Sequence, residues 1–518
     1  MKCRALRSIV VFLTPNCPAR FARALAFLSL FSLSSLTAQN PGFPNIEGDP
    51  RAREYSRRTA GGTCSWQDLA EIGLWASGGE VAGQGGGRNR NSAGDIIAGA
   101  VADLGGREDL PRGLRERGEY VLEFMHRRYL KTYSAHQTLL DEIFVSGRYN
   151  CVSSAVLYAI LASSVGLEVR GVLTRDHAFA TVNVGAELID VETTNPYGFD
   201  PGKRREFQDE FSGATGFVYV PAKNYRDRVS VSPPELVSLI LTNRIADYEK
   251  QGRYGEAIPL AVNRALLLAN RRDPVSSPFF HDPREDLMDR LFNYGASLLN
   301  GGREADALAW ADFARPRYPG AGSGEDPRWP QFVYAALNNQ VTKLLRAGRI
   351  PEARELLTRN DRAGASRISP ADRRALEILV AEAELTERIG GIKTAEDAEA
   401  ALALIDRTAS VLPAARTEEF RTYVIINEGK RRAAEDGPLG GIASIEAAIG
   451  RYGSNAQLED ALRVFKQNQV VALHNRFAEL FNRSDFEGAR RVIQGALREF
   501  PGNRRLQSDL NLLEQALR

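Results

Sequence analysis

Three residues of the chain carry side chains whose chemistry fits one kind of reaction. Cys151 opens an apolar segment, His177 begins a segment with strand-like alternation, and Asp190 ends another such segment. A thiol, an imidazole and a carboxylate can act as nucleophile, general base and orienting group, which is the set that acyl transfer through a thioester requires. The types and order of these residues therefore predict a cysteine-dependent catalytic site.

A second carboxylate competes with Asp190 for the orienting role. Glu192 lies two positions further along the same predicted strand. Side chains two positions apart on a strand share a face, so the sequence allows either carboxylate to orient His177.

Two further features concern what surrounds the thiol. Oxyanion donors would be the backbone N–H of Cys151 and a side chain from upstream, for which Gln137 is the candidate. His126 and His136 also lie upstream, and Glu123 precedes His126 by one helical turn, but no third ligand stands out beside them. We therefore expect neither a metal site nor a cofactor.

The elements that must hold these residues follow from the periodicity of the sequence. Asn150 is a turn residue, and the apolar stripe after it predicts a helix from Cys151 to near Gly166. The N–H groups and the dipole at such a helix N-terminus favour an anion, here a thiolate. Beyond the helix the period changes to two, which predicts successive antiparallel strands at residues 169–174, 178–184, 188–191 and 217–220. A meander of these strands would bring the imidazole and the carboxylate side by side.

These segments resemble a known family. Tyr149-Asn150-Cys151 opening an Ala-rich helix, Asp176-His177 leading into the next strand, and Ile189-Asp190 before a Pro-Tyr-Gly turn are similar to the motifs of transglutaminase-like thiol enzymes. The resemblance covers residues 110–225 and implies a papain-like α+β fold with a Cys-His-Asp triad. By this resemblance Cys151 is the nucleophile, His177 the general base and acid, and Asp190 the orienter of His177.

The chain departs from the family pattern at two residues. Tyr149 stands where glycine is common, which raises the question of substrate access beside the thiol. Phe179 stands where tryptophan is common after the histidine, so one aromatic residue replaces another.

Composition and the N-terminus narrow the class of protein. A chain of 518 residues is too long for one ordinary hydrophobic core, so more than one domain is expected. A net charge of +2 gives no general attraction for nucleic acid or an anionic membrane. Basic residues followed by an apolar stretch predict a signal peptide at residues 1–38, with an uncleaved N-terminal anchor as the alternative. No later segment is long and apolar enough to span a membrane. We expect an exported protein that is periplasmic, bound in the cell envelope or secreted.

The number of cysteines also bears on the predicted export of the protein. After residue 38 the chain holds two cysteines, Cys64 and Cys151, which is no disulfide framework for a protein of this size. The two thiols either pair with each other or stay free. A free thiol at Cys151 in an exported protein would indicate reactivity.

The rest of the chain divides into three predicted parts. Residues 39–110 are predicted to be a linker with a short helix at 66–76 and a Gly-rich loop at 78–94, residues 111–230 the transglutaminase-like domain, and residues 235–518 a helical array. In the array, Glu-Ala pairs follow several turns, and the spacing of Ala307, Ala314 and Pro319 equals that of Ala489, Ala496 and Pro501. This pattern resembles tetratricopeptide (TPR) repeats, although the repeat length is irregular. An unrelated helical bundle is the alternative.

The predicted fold class is an α+β papain-like, transglutaminase-like domain followed by an all-α, TPR-like helical-repeat solenoid. Two functions follow from it. One is a thiol enzyme that transfers or hydrolyses an amide or peptide acyl group of a protein or envelope peptide substrate. The other is a catalytically silent scaffold whose repeats bind a protein partner. The choice between hydrolysis and amine transfer depends on water exclusion at the thioester and stays open.

Overall fold

Helices make up most of the chain, and a small β-sheet lies among the first of them. In a computed structural model, nineteen helices and six short strands form the regular structure of the described residues, which are 42–61, 64–78, 93–201, 228–271, 277–362 and 368–517. The predicted signal peptide, most of the predicted Gly-rich loop and the predicted strand at 217–220 lie outside these residues. None of the helices in the described ranges is long and apolar enough to cross a membrane.

Six helices and two very short strands come first along the chain. They are α1 (Pro50–Arg58), α2 (Trp66–Ser77), α3 (Ala93–Gly105), α4 (Leu114–Arg128), β1 (Thr132–Tyr133), α5 (Leu140–Ser146), β2 (Arg148–Tyr149) and α6 (Cys151–Ser164). β1 and β2 pair in parallel just before α6.

Helices α1 and α3 correct the prediction that residues 39–110 are a linker with one short helix. Both helices contribute to the same hydrophobic core as α6, because Ala52 and Tyr55 of α1 and Ile97, Ala100 and Leu104 of α3 are buried. These apolar positions recur three or four residues apart, as on one helix face. The many arginines of α1 and the glycines around α3 conceal that spacing in the sequence.

Helix α6 is the central element of this core. All eleven residues from Val152 to Ala162 are buried, because α2, α4, the sheet and a later helix surround it. The sequence predicted one apolar stripe, whereas a helix covered on all sides must be apolar or hydrogen bonded on every face.

Four antiparallel strands form the sheet against which α6 packs. They are β3 (Glu168–Leu173), β4 (Ala178–Val184), β5 (Glu187–Val191) and β6 (Val229–Val231), in the spatial order β5-β4-β3-β6. The predicted strands at 169–174, 178–184 and 188–191 are confirmed as β3, β4 and β5. Their alternation of apolar and polar residues is strong enough to identify them locally.

Thirteen helices follow the sheet in the described part of the chain. They are α7 (Pro233–Lys250), α8 (Tyr254–Leu267), α9 (Pro283–Asn300), α10 (Glu304–Ala314), α11 (Arg328–Arg346), α12 (Ile350–Arg362), α13 (Pro370–Gly390), α14 (Ala395–Thr408), α15 (Ala414–Asp436), α16 (Pro438–Tyr452), α17 (Ala456–Asn482), α18 (Phe486–Glu499) and α19 (Arg504–Ala516).

These helices form two layers. Each helix packs on its neighbours in sequence. Close contacts between a helix and the next but one join odd-numbered helices: α9 with α11, α11 with α13, α15 with α17, and α17 with α19. The even-numbered helices do not approach one another as closely and so leave grooves between them. Ala307, Ala314, Ala489 and Ala496, which have equal spacing in the two matching segments, are all buried between helices.

Helix α7 begins at the predicted domain boundary, residues 230–235, and contributes to the cores on both sides of it. Its residues Leu236, Val237 and Ile240 belong to the core of α6 and the sheet, whereas Ile245 belongs to the core of the helical array. Glu249 of α7 also forms an ion pair with Arg290 of α9. The helix is therefore shared by both parts, and the two predicted domains meet along it.

Candidate active site

Cys151 is the first residue of α6, and the cap of this helix sets its surroundings. The Asn150 side chain accepts hydrogen bonds from the backbone N–H groups of Val152 and Ser153, and its carbonyl accepts from Ser154 N–H. Ser153 Oγ in turn accepts from the Asn150 N–H, which completes a capping box. Asn150 therefore binds the N–H groups of the three residues that follow Cys151. The N–H of Cys151 itself lies at the first position of the helix.

His177 ends the tight turn that joins β3 to β4. Thr174 N–H donates to the His177 carbonyl over 3.0 Å, which holds the residue just before β4. Its side chain is 8% exposed, and Nε2 donates to Glu192 Oε2 over 2.6 Å. Because Nε2 is bonded to the carboxylate, the nitrogen available to the thiol is the buried Nδ1.

The His177 ring is electrostatically tuned by both of its neighbours. Burial alone lowers the pKa of this imidazole, but the Glu192 carboxylate and the hydrogen bonds with Cys151 and Glu192 outweigh it. The net result is a pKa well above the ordinary value of 6.5. An imidazole of this kind holds a proton strongly next to a thiol, as a thiolate–imidazolium pair requires.

The structure places Glu192, and not the predicted Asp190, against the ring of His177. Asp190 forms a two-pronged ion pair with Arg228, at 2.9 and 2.8 Å. Glu192 is the carboxylate on the ring of His177, and its side chain is 1% exposed. The sequence had left Glu192 open, and the family resemblance pointed to the other residue.

Strand register explains the exchange. Asp190 pairs with Thr181 of β4, which is four residues from His177, or about 13 Å along a strand. Val191 pairs with Ala180, so the next residue, Glu192, comes beside Phe179 and is the diagonal neighbour of His177. Diagonal neighbours lie about 7–8 Å apart, which a glutamate side chain can bridge.

The residues after Glu192 fix its carboxylate. Thr194 donates to Glu192 Oε1 twice, from its backbone N–H at 3.1 Å and from Oγ1 at 2.7 Å. Thr193 Oγ1 bonds to Ser154 Oγ of α6 at 2.8 Å. The backbone carbonyl of Thr193 accepts from His126 Nε2 at 3.0 Å. Sequence reasoning missed these supporting threonines, whose only signal was their position between the carboxylates and the Pro-Tyr-Gly turn.

His126 is a structural residue in this arrangement. Burial is the main influence on its imidazole and lowers its pKa to about 4, against the opposing effect of the Thr193 hydrogen bond. A neutral ring with Nε2–H donating to the Thr193 carbonyl is the form that fits this environment.

Tyr149 does not stand in the way of the thiol. Its ring is buried, and its hydroxyl donates to the Thr194 carbonyl over 3.1 Å, so it holds the segment that carries Glu192. Phe179, the second departure from the family pattern, is fully buried and stacks on the His177 ring at 6.2 Å. Both residues act as supports for the histidine and its carboxylate.

Gln137 lies in the loop that packs beside the start of α6. Its carbonyl accepts from Ser153 Oγ over 3.1 Å, and its Oε1 accepts from Leu139 N–H over 3.2 Å. Its Nε2 is buried and has no hydrogen-bond partner among the described residues. A buried donor without a partner is costly. Gln137 is not among the residues that line the cleft at the thiol, so its role as an oxyanion donor stays a prediction.

A cleft of about 350 Å³ opens at the thiol. Its walls are the loop before α5, the start of α6, the β3–β4 turn and the second half of α7. Cys151 and His177 lie in its wall together with the charged residues Arg175, Asp176, Asp247 and Lys250. Cys64 and Cys151 are both free thiols, so the alternative of a disulfide between them is not what the structure contains.

Comparison with protein-family models, with curated proteins and with solved structures found no match for this chain. The functional argument therefore depends on the geometry of the site.

Proposed function

We propose that the protein is a transglutaminase-like thiol enzyme that acts on amide or peptide bonds. The observation that carries the proposal is the position of His177, which lines the same cleft as Cys151 and whose imidazole donates to the buried carboxylate of Glu192. A thiol nucleophile in one cleft with a base that a carboxylate orients is the set that thioester chemistry needs.

In the first half of the proposed reaction, Cys151 Sγ attacks the substrate carbonyl carbon and the thiol proton resides on His177. The oxyanion formed on the carbonyl oxygen is stabilised by the Cys151 N–H and by Gln137 Nε2. When the C–N bond breaks, His177 gives its proton to the departing amine, and the acyl group stays on sulfur as a thioester.

In the second half, water or a second amine attacks the thioester carbonyl. His177 takes a proton from the attacking group, the C–S bond breaks, and the returning thiolate recovers that proton. Glu192 keeps the ring oriented and balances its positive charge in both halves. Water as the attacking group gives hydrolysis, and an amine gives acyl transfer.

The proposal also covers the helical array and the place of action. We infer TPR-like repeats from the two-layer packing and the buried alanines, and we assign to them the binding of a protein substrate or partner. We infer export from the signal-like sequence of residues 1–38.

The test is the rate at which iodoacetamide alkylates Cys151, followed by peptide mass spectrometry. We expect fast labelling of Cys151 in the native protein and at least tenfold slower labelling after His177→Ala. Cys64 is an internal control, because burial raises the pKa of its thiol to about 12 and it should react slowly in both proteins. Equal labelling of Cys151 in both proteins would contradict the proposal.

A further inference from the structure

A groove in the helical array lies outside the thiol site. It has a volume of about 460 Å³ and lies between α14 and α16, with α15 behind it. Leu402, Ile425 and Tyr452 line it with apolar surface, and α16 contributes the small residues Ala443 and Ala447. The volume is in the range of ligand-binding clefts, about 300–1,000 Å³.

The groove between α8 and α10 shows what such a space accommodates. The non-helical segment at residues 43–49, here called the N-terminal arm, lies in it. The Phe43 ring lies 5.5 Å from the Trp310 ring and 5.4 Å from the Phe313 ring, both of α10. Ile46, three residues later, is 1% exposed. The arm falls in the region predicted to be a linker, and its apolar residues pack on the array instead.

Hydrogen bonds to the backbone complete the binding of the arm. Tyr318 Oη donates to the Ile46 carbonyl over 2.8 Å, and Asp49 N–H donates to Asn263 Oδ1 over 2.7 Å. Two apolar anchors combined with main-chain hydrogen bonds are a general way to hold an extended peptide.

The two grooves are equivalent in the layering of the array. Each lies between successive even-numbered helices, which do not approach each other closely, and each has the intervening odd-numbered helix behind it. The arm fills the first groove. In the second, α16 presents alanines, whose small side chains leave room for an occupant.

The charges of the second groove favour a neutral occupant. Glu399 pairs with Arg451 at 3.0 Å, and Arg432 pairs with Glu428 at 3.2 Å. Asp436, the third carboxylate of the lining, also pairs with Arg432, at 3.6 Å. All five charged side chains of the lining are thus paired within the protein. Such a rim offers no excess positive charge to a nucleic acid or another polyanion.

We propose that the groove between α14 and α16 binds a non-helical segment of a partner protein that carries an aromatic residue and a branched aliphatic residue three positions apart, as Phe43 and Ile46 are. This inference deepens the partner-binding role proposed for the array and does not depend on the thiol chemistry.

The probe is a fluorescein-labelled peptide with the sequence of residues 42–47, Gly-Phe-Pro-Asn-Ile-Glu, titrated with the full chain and followed by fluorescence anisotropy. Ala447 is exposed, so Ala447→Arg fills the groove without disturbing a core. We expect saturable binding to the native chain and at least tenfold weaker binding to Ala447→Arg. Ala443→Trp, a second exposed position, should weaken binding in the same way.

Ala434→Arg is the matched control, because Ala434 is exposed on α15 but does not line the groove. It should bind the peptide like the native chain. Absence of peptide binding would overturn the proposal. Equal binding by Ala447→Arg would also overturn it, because the peptide would then be displacing the arm from the first groove. Self-association of the native chain that Ala447→Arg abolishes would also overturn it, since the occupant would then be a second copy. The measurement can be made on Cys151→Ala protein, so its outcome is separate from that of the alkylation test.

Discussion

Exchange of Glu192 for glutamine tests the assignment of the orienting carboxylate. Glu192→Gln keeps the size of the side chain, and its amide oxygen can still accept both hydrogen bonds from Thr194. The exchange removes the negative charge beside His177. Asp190→Asn is the matched exchange on the same strand, and it should affect the Arg228 ion pair instead.

The structure sets the expected size of the effect. The bond between His177 Nε2 and Glu192 Oε2 is 2.6 Å long, and the side chains are 8% and 1% exposed, so solvent hardly weakens it. A hydrogen bond to a charged group contributes roughly 1.5–3 kcal/mol, and about 1.4 kcal/mol corresponds to a tenfold change in rate. We expect Glu192→Gln to slow alkylation of Cys151 and substrate turnover by about 10- to 150-fold. Asp190→Asn, whose ion pair is more exposed, should change either rate by less than about threefold.

The pH dependence gives a second readout of the same exchange. Because the pKa of His177 is raised above its ordinary value in the folded protein, its protonation contributes stability that is complete below about pH 6.5 and is lost as the pH rises through the folded pKa. Glu192→Gln should therefore lower the melting temperature most near pH 6 and progressively less toward pH 9. An unchanged alkylation rate in Glu192→Gln together with a large loss in Asp190→Asn would refute the reasoning.

Three further exchanges probe the support of the site. A Cβ on Gly198 would lie 1.9 Å from the Glu192 carbonyl oxygen, so Gly198→Ala should cost about 1–3 kcal/mol of stability in urea unfolding and slow the alkylation of Cys151; a variant with native stability would contradict this. Gln137→Ala should reduce substrate turnover by about 10²–10³-fold but leave the alkylation rate unchanged, because alkylation forms no oxyanion; an equal loss in both assays would argue for a structural role. The lowered pKa of His126, about 4 against 6.5, contributes up to about 3 kcal/mol that is present above pH 6.5 and is lost as the pH falls toward 4. In urea unfolding, His126→Gln should therefore lose less stability than the native chain between pH 7 and pH 4.5. Identical losses would rule out His126 as the source of the pH-dependent loss of stability.

Local pattern was sufficient for several parts of the site. The turn residue Asn150 and the apolar run after it located the start of α6, and the change to a period of two located β3, β4 and β5. These features depend on residues close together in the chain, whose capping and alternation are visible in any short window. The positions of Cys151 at a helix start and of His177 just before a strand were predicted for the same reason.

Other parts could not be read locally. α1 and α3 have weak patterns of their own, and their helices are stabilised by packing in the core around α6. The shared role of α7 and the docking of the N-terminal arm on α10 depend on surfaces far apart in sequence. Secondary-structure preference is a weak guide where such tertiary contacts decide the conformation.

The sequence by itself determined which residues could act, namely one thiol at a helix start, one histidine at a strand start and two carboxylates on one strand face. The tertiary structure alone decided which carboxylate serves the histidine. Asp190 and Glu192 are equivalent in a period-two pattern, and they are distinguished only by the register of β4 against β5 and by the partners on each side, Arg228 for one and Thr194 with His177 for the other. Register is a property of long-range pairing, so no local pattern contains it.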